Sequence, residues 1–286
     1  MITEADLTRP GERSLHYYDT GPADGQVAVF WLHGSPNVGS PPEPLFDAAA
    51  ANGLHWVSYD RPGYGGSSPD PGRTVASAAA DVAAIADAVG IARFAVFGHS
   101  GGGPHALACA ALLPDRVIAA VSGSAPAPFD ADGLDWFEGW TPGIAAENAA
   151  AARGREALEQ YLASAEPEPM TDFFSQADLE ALGGRWAWVG QVAGQAIEQG
   201  GDGYVEDTLA AVRPWGFDLD QIEVPVLLLH GTGDKMVPAA HGAWLAAHCP
   251  AATLREIPGA GHITVLDAAP EALAWIGHIV ADAATA

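Results

Sequence analysis

Lysine is almost missing from this chain. Lys235 is its only one, and with eleven arginines the 12 basic side chains stand against 36 acidic ones, for a net charge of −24. A surface this negative is repelled by nucleic-acid phosphates and by anionic lipid, so neither nucleic acid nor membrane is an expected partner. Cysteine is scarce too: Cys109 and Cys249 are the two, with no Cys-x-x-Cys pair and no compact Cys/His cluster. That excludes a disulfide framework and a zinc site, and no metal and no cofactor are expected. Long apolar runs are absent, because the most apolar stretch, residues 75–97, is broken by Asp81, Asp87 and Arg93, which a bilayer centre would penalise. Residues 1–7 lack the basic start and apolar run of a secretory signal, so a cytoplasmic protein with reduced thiols is the expectation. Oligomeric state leaves no mark on the sequence.

What is present is a chain built to fold. With 49% hydrophobic and 17% charged residues it is too apolar for disorder, and one globule of this length buries roughly three quarters of its unfolded surface. Short β-branched and aromatic runs at 27–32, 55–59, 94–97, 117–121 and 226–229 alternate with Ala-rich helical stretches at 75–89 and 104–113, the second closed by Pro114. This alternation predicts an α/β fold with a mostly parallel central sheet flanked by helices. Several of the runs are continuously apolar, as strands covered on both faces are. The rhythm fails between about 126 and 220, where helices separated by Pro and Gly are expected and no strand. The expected organisation is therefore a core from 1–125 and 221–286, with an all-helical cap at 126–220. Residues 125–220 hold 12 of the 24 aromatics and 18 of the 36 acids in about a third of the length. Trp136, Phe137, Trp140, Trp186 and Trp215 are the candidates for lining a pocket for a small-molecule substrate; the competing reading is that they fill the cap's own small core.

The chemistry centres on Gly98-His99-Ser100-Gly101-Gly102, which follows an apolar run and precedes a helical stretch. A hydroxyl projecting from a sharp strand-to-helix turn needs small flanking residues, and glycines supply them. Serine is a poor nucleophile until a base takes its proton, so a histidine and an orienting carboxylate are required. Among ten histidines, His262 stands in Gly259-Ala260-Gly261-His262 after the expected last strand, 253–257, where small neighbours let an imidazole reach across the strand ends. Asp234 follows the 226–230 strand through Gly231-Thr232-Gly233, at the carboxyl end where open α/β sheets assemble their sites. Asp130 and Asp132 are the alternative acids, placed after the preceding strand. An oxyanion hole needs two backbone N–H groups: Gly101, after the nucleophile, and Ser35 in His33-Gly34-Ser35-Pro36. Pro36 has no N–H to offer.

With these motifs, and with Tyr59-Asp60-Arg61-Pro62-Gly63-Tyr64-Gly65-Gly66-Ser67 and His230-Gly231-Thr232-Gly233-Asp234-Lys235-Met236-Val237-Pro238, the chain resembles the α/β-hydrolase superfamily, in particular its cap-bearing serine hydrolases, over nearly its whole length. The resemblance implies a nucleophile at Ser100, an acid at Asp234, a base at His262, oxyanion donors at Ser35 and Gly101, and a helical insertion between the sixth and seventh strands that shapes the pocket. Serine at the elbow sets the chain apart from the haloalkane dehalogenases and epoxide hydrolases, which carry aspartate there. The lipase-type His-Gly-Gly-Gly loop is absent.

The expected function is a serine hydrolase cleaving an ester, thioester, lactone or amide of a small, apolar substrate through a Ser100 acyl-enzyme. Three alternatives stand beside it. An aminopeptidase of the proline iminopeptidase type would use the acidic cap, with 18 acids against Arg153, Arg155, Arg185 and Arg213, to hold a free amino group. The same triad serves lyase, perhydrolase and C–C-cleaving chemistry. A non-catalytic ligand receptor on the same scaffold is the third, since fold alone does not determine function.

Overall fold

The computed structural model describes residues 2–23, 25–166 and 168–285. Eight strands form one sheet: β1 (Thr3–Thr8), β2 (Ser14–Asp19), β3 (Val27–Leu32), β4 (Leu54–Tyr59), β5 (Phe94–His99), β6 (Val117–Gly123), β7 (Val226–Gly231) and β8 (Ala252–Ile257), in the order β1-β2-β4-β3-β5-β6-β7-β8. From β4 to β8 every pairing is parallel, while β1 and β2 add an antiparallel edge. The helices are α1 (Phe46–Ala51), α2 (Ser77–Ala88), α3 (Gly102–Leu112), α4 (Pro142–Ala152), α5 (Arg155–Ser164), α6 (Met170–Phe173), α7 (Gln176–Leu182), α8 (Ala187–Glu198), α9 (Asp202–Ala211), α10 (Ala239–His248) and α11 (Ala269–Thr285). All six runs expected as strands are strands.

Alternation along β3 shows how the sheet acquires two cores. Phe30 and Leu32 pack with Val82 and Ile85 of α2 and Leu107 of α3, whereas Val29 and Trp31 face Leu273 and Ile276 of α11. Successive side chains of a strand point to opposite faces, so a strand buried on both must be apolar at every position. Each such side chain contributes roughly 1.5–3 kcal/mol of burial. The edge strand β1 escapes this requirement. Its sequence, Thr-Glu-Ala-Asp-Leu-Thr, is largely exposed, which is why its composition carries no strand signal.

Between β6 and β7 the described residues form helices α4–α9 and no strand. This insert has two parts. Ala151, Leu158, Val205 and Leu209 of α4, α5 and α9 make a small core of their own, while Ala181, Trp186, Trp188, Val192 and Ala196 join the core on the α11 face of the sheet. No helix among the described residues is long and apolar enough to cross a membrane.

Candidate active site

The loops at the carboxyl ends of β3, β5, β7 and β8 meet above the sheet. β5 ends at His99 and α3 begins at Gly102, so the chain reverses within Ser100 and Gly101, and Ser100 takes φ 56°. A side-chain-bearing residue in that left-handed region is strained and must be held there by its surroundings. Ser100 N donates to Gly123 O at 2.8 Å and Gly103 N donates to Ser100 O at 2.9 Å. A Cβ on Gly98 would collide with the Gly102 carbonyl, and one on Gly102 with the carbonyl of Leu32. Glycine is thus required at both positions for the turn to lie this close to the sheet.

Ser100 Oγ lies 2.9 Å from His262 Nε2. His262 Nδ1 lies 2.9 and 3.1 Å from the two carboxylate oxygens of Asp234. Because a carboxylate accepts, Nδ1 carries the proton and Nε2 presents its lone pair to the serine. Asp234 also accepts from Met236 N and Val237 N, each at 2.9 Å. Burial alone would push its carboxyl up, but His262 and these N–H groups hold it down at about 2. Asp130 and Asp132, the alternative acids, instead border a separate groove beside Trp215 and Trp244. His99, buried and held down at about 3 first by desolvation, is neutral and donates from Nε2 to the His262 carbonyl at 2.9 Å.

The β3 loop brings Ser35 against the elbow: a Cβ on Gly101 would lie 2.7 Å from Ser35 Oγ and 3.6 Å from Ser35 N. Beneath that loop is an ionic cluster. Asp207 of α9 takes Arg61 Nη2 at 2.6 Å and Nε at 3.2 Å, Arg73 Nη2 at 2.5 Å, the Tyr64 hydroxyl at 2.8 Å, and the Ser35 hydroxyl. Arg61 also donates to His33 O and, at 3.0 Å, to Gly34 O. Desolvation would raise the Asp207 carboxyl, yet Arg61 and then Arg73 hold it well below the usual carboxylate range. A second acid from the insert, Asp178 at the start of α7, accepts from Ile263 N at 3.0 Å and from Thr264 N at 2.8 Å, immediately after His262.

Two cavities flank Ser100. The first, of about 130 Å³, is walled by Val75, Pro104, Pro126, Trp136, Trp140 and Trp215, with Glu147, Tyr204 and Asp207 among its polar residues. The second, of about 120 Å³, lies on the His262 side and is bounded by Phe174, Val189, Met236 and Ile263. Of the five aromatics expected at a pocket, Trp136, Trp140 and Trp215 line the first cavity. The structure does not bring Phe137 or Trp186 there. Phe137 is exposed, edge-on to Phe129 and Trp136. Trp186 is buried against the sheet side and donates its indole N–H to Asp267 at 2.8 Å, so it ties the insert to the segment before α11.

Comparison with known proteins agrees with this layout. A family model described as the alpha/beta hydrolase fold matches residues 27–269. The chain belongs to the alpha/beta hydrolase fold family. A non-heme chloroperoxidase of Streptomyces lividans is 32% identical over 287 residues, covering 95% of each chain. Two solved structures overlay with a TM-score of 0.69 at 21% identity: a thermophilic esterase from Thermogutta terrifontis, covering 97% of this chain and 99% of that one, and an enol-lactonase from Burkholderia xenovorans LB400, covering 97% and 100%. At that identity they show the shared fold alone. Membership makes the chain an enzyme of the hydrolase family.

What the motifs of this hydrolase family did not disclose is the support around Ser100, His262 and Asp234. Arg61 was legible as part of Asp60-Arg61-Pro62-Gly63, but its partners lie far along the chain, at Asp207 and the β3 loop. Asp178 and Asp207 carry no local signature beyond a capping serine, Ser175, three residues before Asp178.

Proposed function

We propose that the protein is a serine hydrolase that forms an acyl-enzyme on Ser100. The observation that carries this reading is the unbroken hydrogen-bonded chain from Ser100 Oγ through His262 to Asp234. As Oγ attacks a carbonyl carbon, His262 Nε2 accepts its proton while Asp234 holds the ring in position and stabilises the imidazolium. Negative charge developing on the carbonyl oxygen falls to the N–H groups of Ser35 and Gly101, the oxyanion donors of this reading. Collapse expels the alcohol, protonated by His262, and a water activated by the same ring releases the acid. In this scheme residues 126–220 act as the cap that closes over Ser100.

The walls of the first cavity favour a small, apolar, uncharged ester, thioester or lactone. Both acids at that cavity already have partners: Asp207 has two arginines, and Glu147, whose carboxyl burial pushes up, accepts from the Tyr204 hydroxyl at 2.5 Å. This gives less support to the aminopeptidase reading, which needs a free carboxylate for an ammonium group. A perhydrolase reading is favoured by the 32% identical relative named a non-heme chloroperoxidase. There hydrogen peroxide replaces water as the acceptor, so that the acyl group leaves as a peroxy acid and Ser100 regains its proton.

A fluorophosphonate should label the wild type at Ser100 and leave Ser100→Ala untouched. A panel of neutral p-nitrophenyl esters, matched anionic esters and aminoacyl arylamides, run with and without peroxide, then sorts the readings. Absence of labelling in the folded wild type would overturn the serine mechanism, and turnover confined to the arylamides would transfer the assignment to an aminopeptidase.

A further inference from the structure

Three of the insert's acids, Asp178, Glu206 and Asp207, are not on its surface. Asp178 and Asp207 each end on a loop that carries one part of the chemistry. Asp207 reaches the β3 loop directly, by accepting from the Ser35 hydroxyl, and also through Arg61. The fork of that guanidinium, fixed on one side by Asp207, donates on the other to the carbonyls of His33 and Gly34. In a trans peptide the N–H points opposite to the carbonyl. With Gly34 O turned to Arg61, the N–H of Ser35 in the same peptide is turned away from it.

Asp178 acts on the other loop. Its Oδ2 accepts from Ser175 N at 3.2 Å, which completes the cap of α7, and from Ser175 Oγ at 2.9 Å, while Oδ1 accepts from Ile263 N, Thr264 N and, at 2.9 Å, Thr264 Oγ1. A cap alone would not need these last three donors. The approach is so close that a Cβ on Gly261 would collide with Oδ2.

We propose that the helical insert is a positioning device for the site: Asp207 sets the Ser35 peptide and Asp178 sets the backbone beside His262, so donor and base are in register only when the insert is seated. The catalytic consequence rests on the serine-hydrolase reading; the mechanical one does not. Neither acid touches the reacting atoms in this scheme, and both act through other groups.

The test compares Asp207→Asn and Asp178→Ala with the wild type, each confirmed folded by thermal melting. The readouts are kcat and KM on p-nitrophenyl butyrate and amide hydrogen exchange at residues 33–35 and 261–264. Loss of one oxyanion donor lowers kcat on the order of 10²-fold, and Asp207→Asn should approach that with KM within about threefold. Its exchange should rise at 33–35 and not at 261–264. Asp178→Ala should show the reverse pattern, with a kcat loss of about tenfold that Asp178→Asn, keeping an accepting oxygen, largely restores. If Asp207→Asn does not fold, Arg61→Lys probes the same loop, since it retains a cation beside Asp207 but loses the fork to the two carbonyls. Folded variants with wild-type kcat and exchange would overturn the proposal, as would exchange rising equally in both loops. Should a fluorophosphonate fail to label the folded wild type, the serine reading fails by itself, and the crossed exchange pattern still decides the positioning role.

Discussion

The sheet and the helical insert hold the candidate site by different means. On the sheet side the backbone does it: Ser100 is fixed by a two-residue turn at φ 56°, by N–H and C=O bonds to Gly123 and Gly103, and by glycines whose missing Cβ lets the turn close. In the insert, side-chain charge does it. Asp178 and Asp207 reach out of helices to hold loops that belong to the sheet, and Lys235, the lone lysine, answers from the sheet side by donating to the carbonyl of Thr171 at 3.1 Å. Backbone constraints are stiff and local in sequence. Charge ties span long stretches of chain and depend on both partners being present.

If this division holds, the largest losses come from the sheet loops. Ser100→Ala should lower kcat on the order of 10⁴- to 10⁶-fold with thermal stability unchanged, because one oxygen is removed from a turn that the backbone holds. Asp234→Asn follows at about 10⁴-fold, since the amide favours the wrong ring tautomer of His262 while Met236 N and Val237 N keep an acceptor. Both are read from initial rates on a neutral p-nitrophenyl ester. The contrast between regions breaks if any single insert substitution matches Ser100→Ala, or if Asp234→Asn stays within tenfold of the wild type.

The same contrast explains what was legible beforehand. Backbone devices leave glycines at fixed offsets, so the turn around Ser100, the loop before His262 and the Gly231-Thr232-Gly233 lead into Asp234 could be located, while six of the eight strands were legible from their apolar runs. The hairpin of β1 and β2 was not, because an exposed edge strand such as Thr3–Thr8 has no need of apolar alternation. Nor were the two insert acids, whose significance lies in partners about 85 and 146 positions away. Phe137 and Trp186 show the limit of composition. Aromatic content predicted a pocket near Ser100 but could not separate a wall such as Trp140 from an exposed ring or from a tryptophan tied to Asp267.

Buried acids sharpen the comparison at a smaller scale. Asp81, on α2 against the sheet, is pushed up to about 6 by burial, which Arg9 at 3.8 Å only partly offsets, whereas Asp207 between two arginines is held low. For Asp81 the folded value lies above the unfolded one. Its contribution to stability is therefore complete below about pH 4 and is lost as pH rises through 6. Asp81→Asn should stabilise the protein at pH 8 by on the order of 2 kcal/mol, about 4 °C in Tm, with the gain vanishing at pH 4. Asp207 has the opposite sign, its contribution being present above the usual carboxylate range and lost on acidification, so Asp207→Asn should lower Tm at pH 8. Melting curves for both variants at pH 4 and pH 8 check this. Equal signs at pH 8 would show that arginine pairing is not what separates the two.

The smallest expected effect divides the insert itself. Trp140 stacks on Trp136 at 4.8 Å between ring centroids, is fixed by an indole N–H to His241 Nε2 at 2.9 Å, and lines the cavity above Ser100. Phe137 belongs to the same aromatic group yet is 37% exposed and outside that cavity. If a bound acyl chain covers roughly 50 Å² of the Trp140 face, removal of the ring forfeits about 1.3 kcal/mol at 25 cal/mol per Å², close to tenfold. Trp140→Ala should therefore lower kcat/KM for p-nitrophenyl butyrate about tenfold, mainly through KM, and lower it much less for the acetate, which is too short to reach the ring. Phe137→Ala should stay within twofold on both esters. The ratio between the two esters cancels any general loosening of the insert, so an unchanged butyrate-to-acetate ratio in Trp140→Ala would mean that substrate lies in the second cavity, beside Phe174 and Val189.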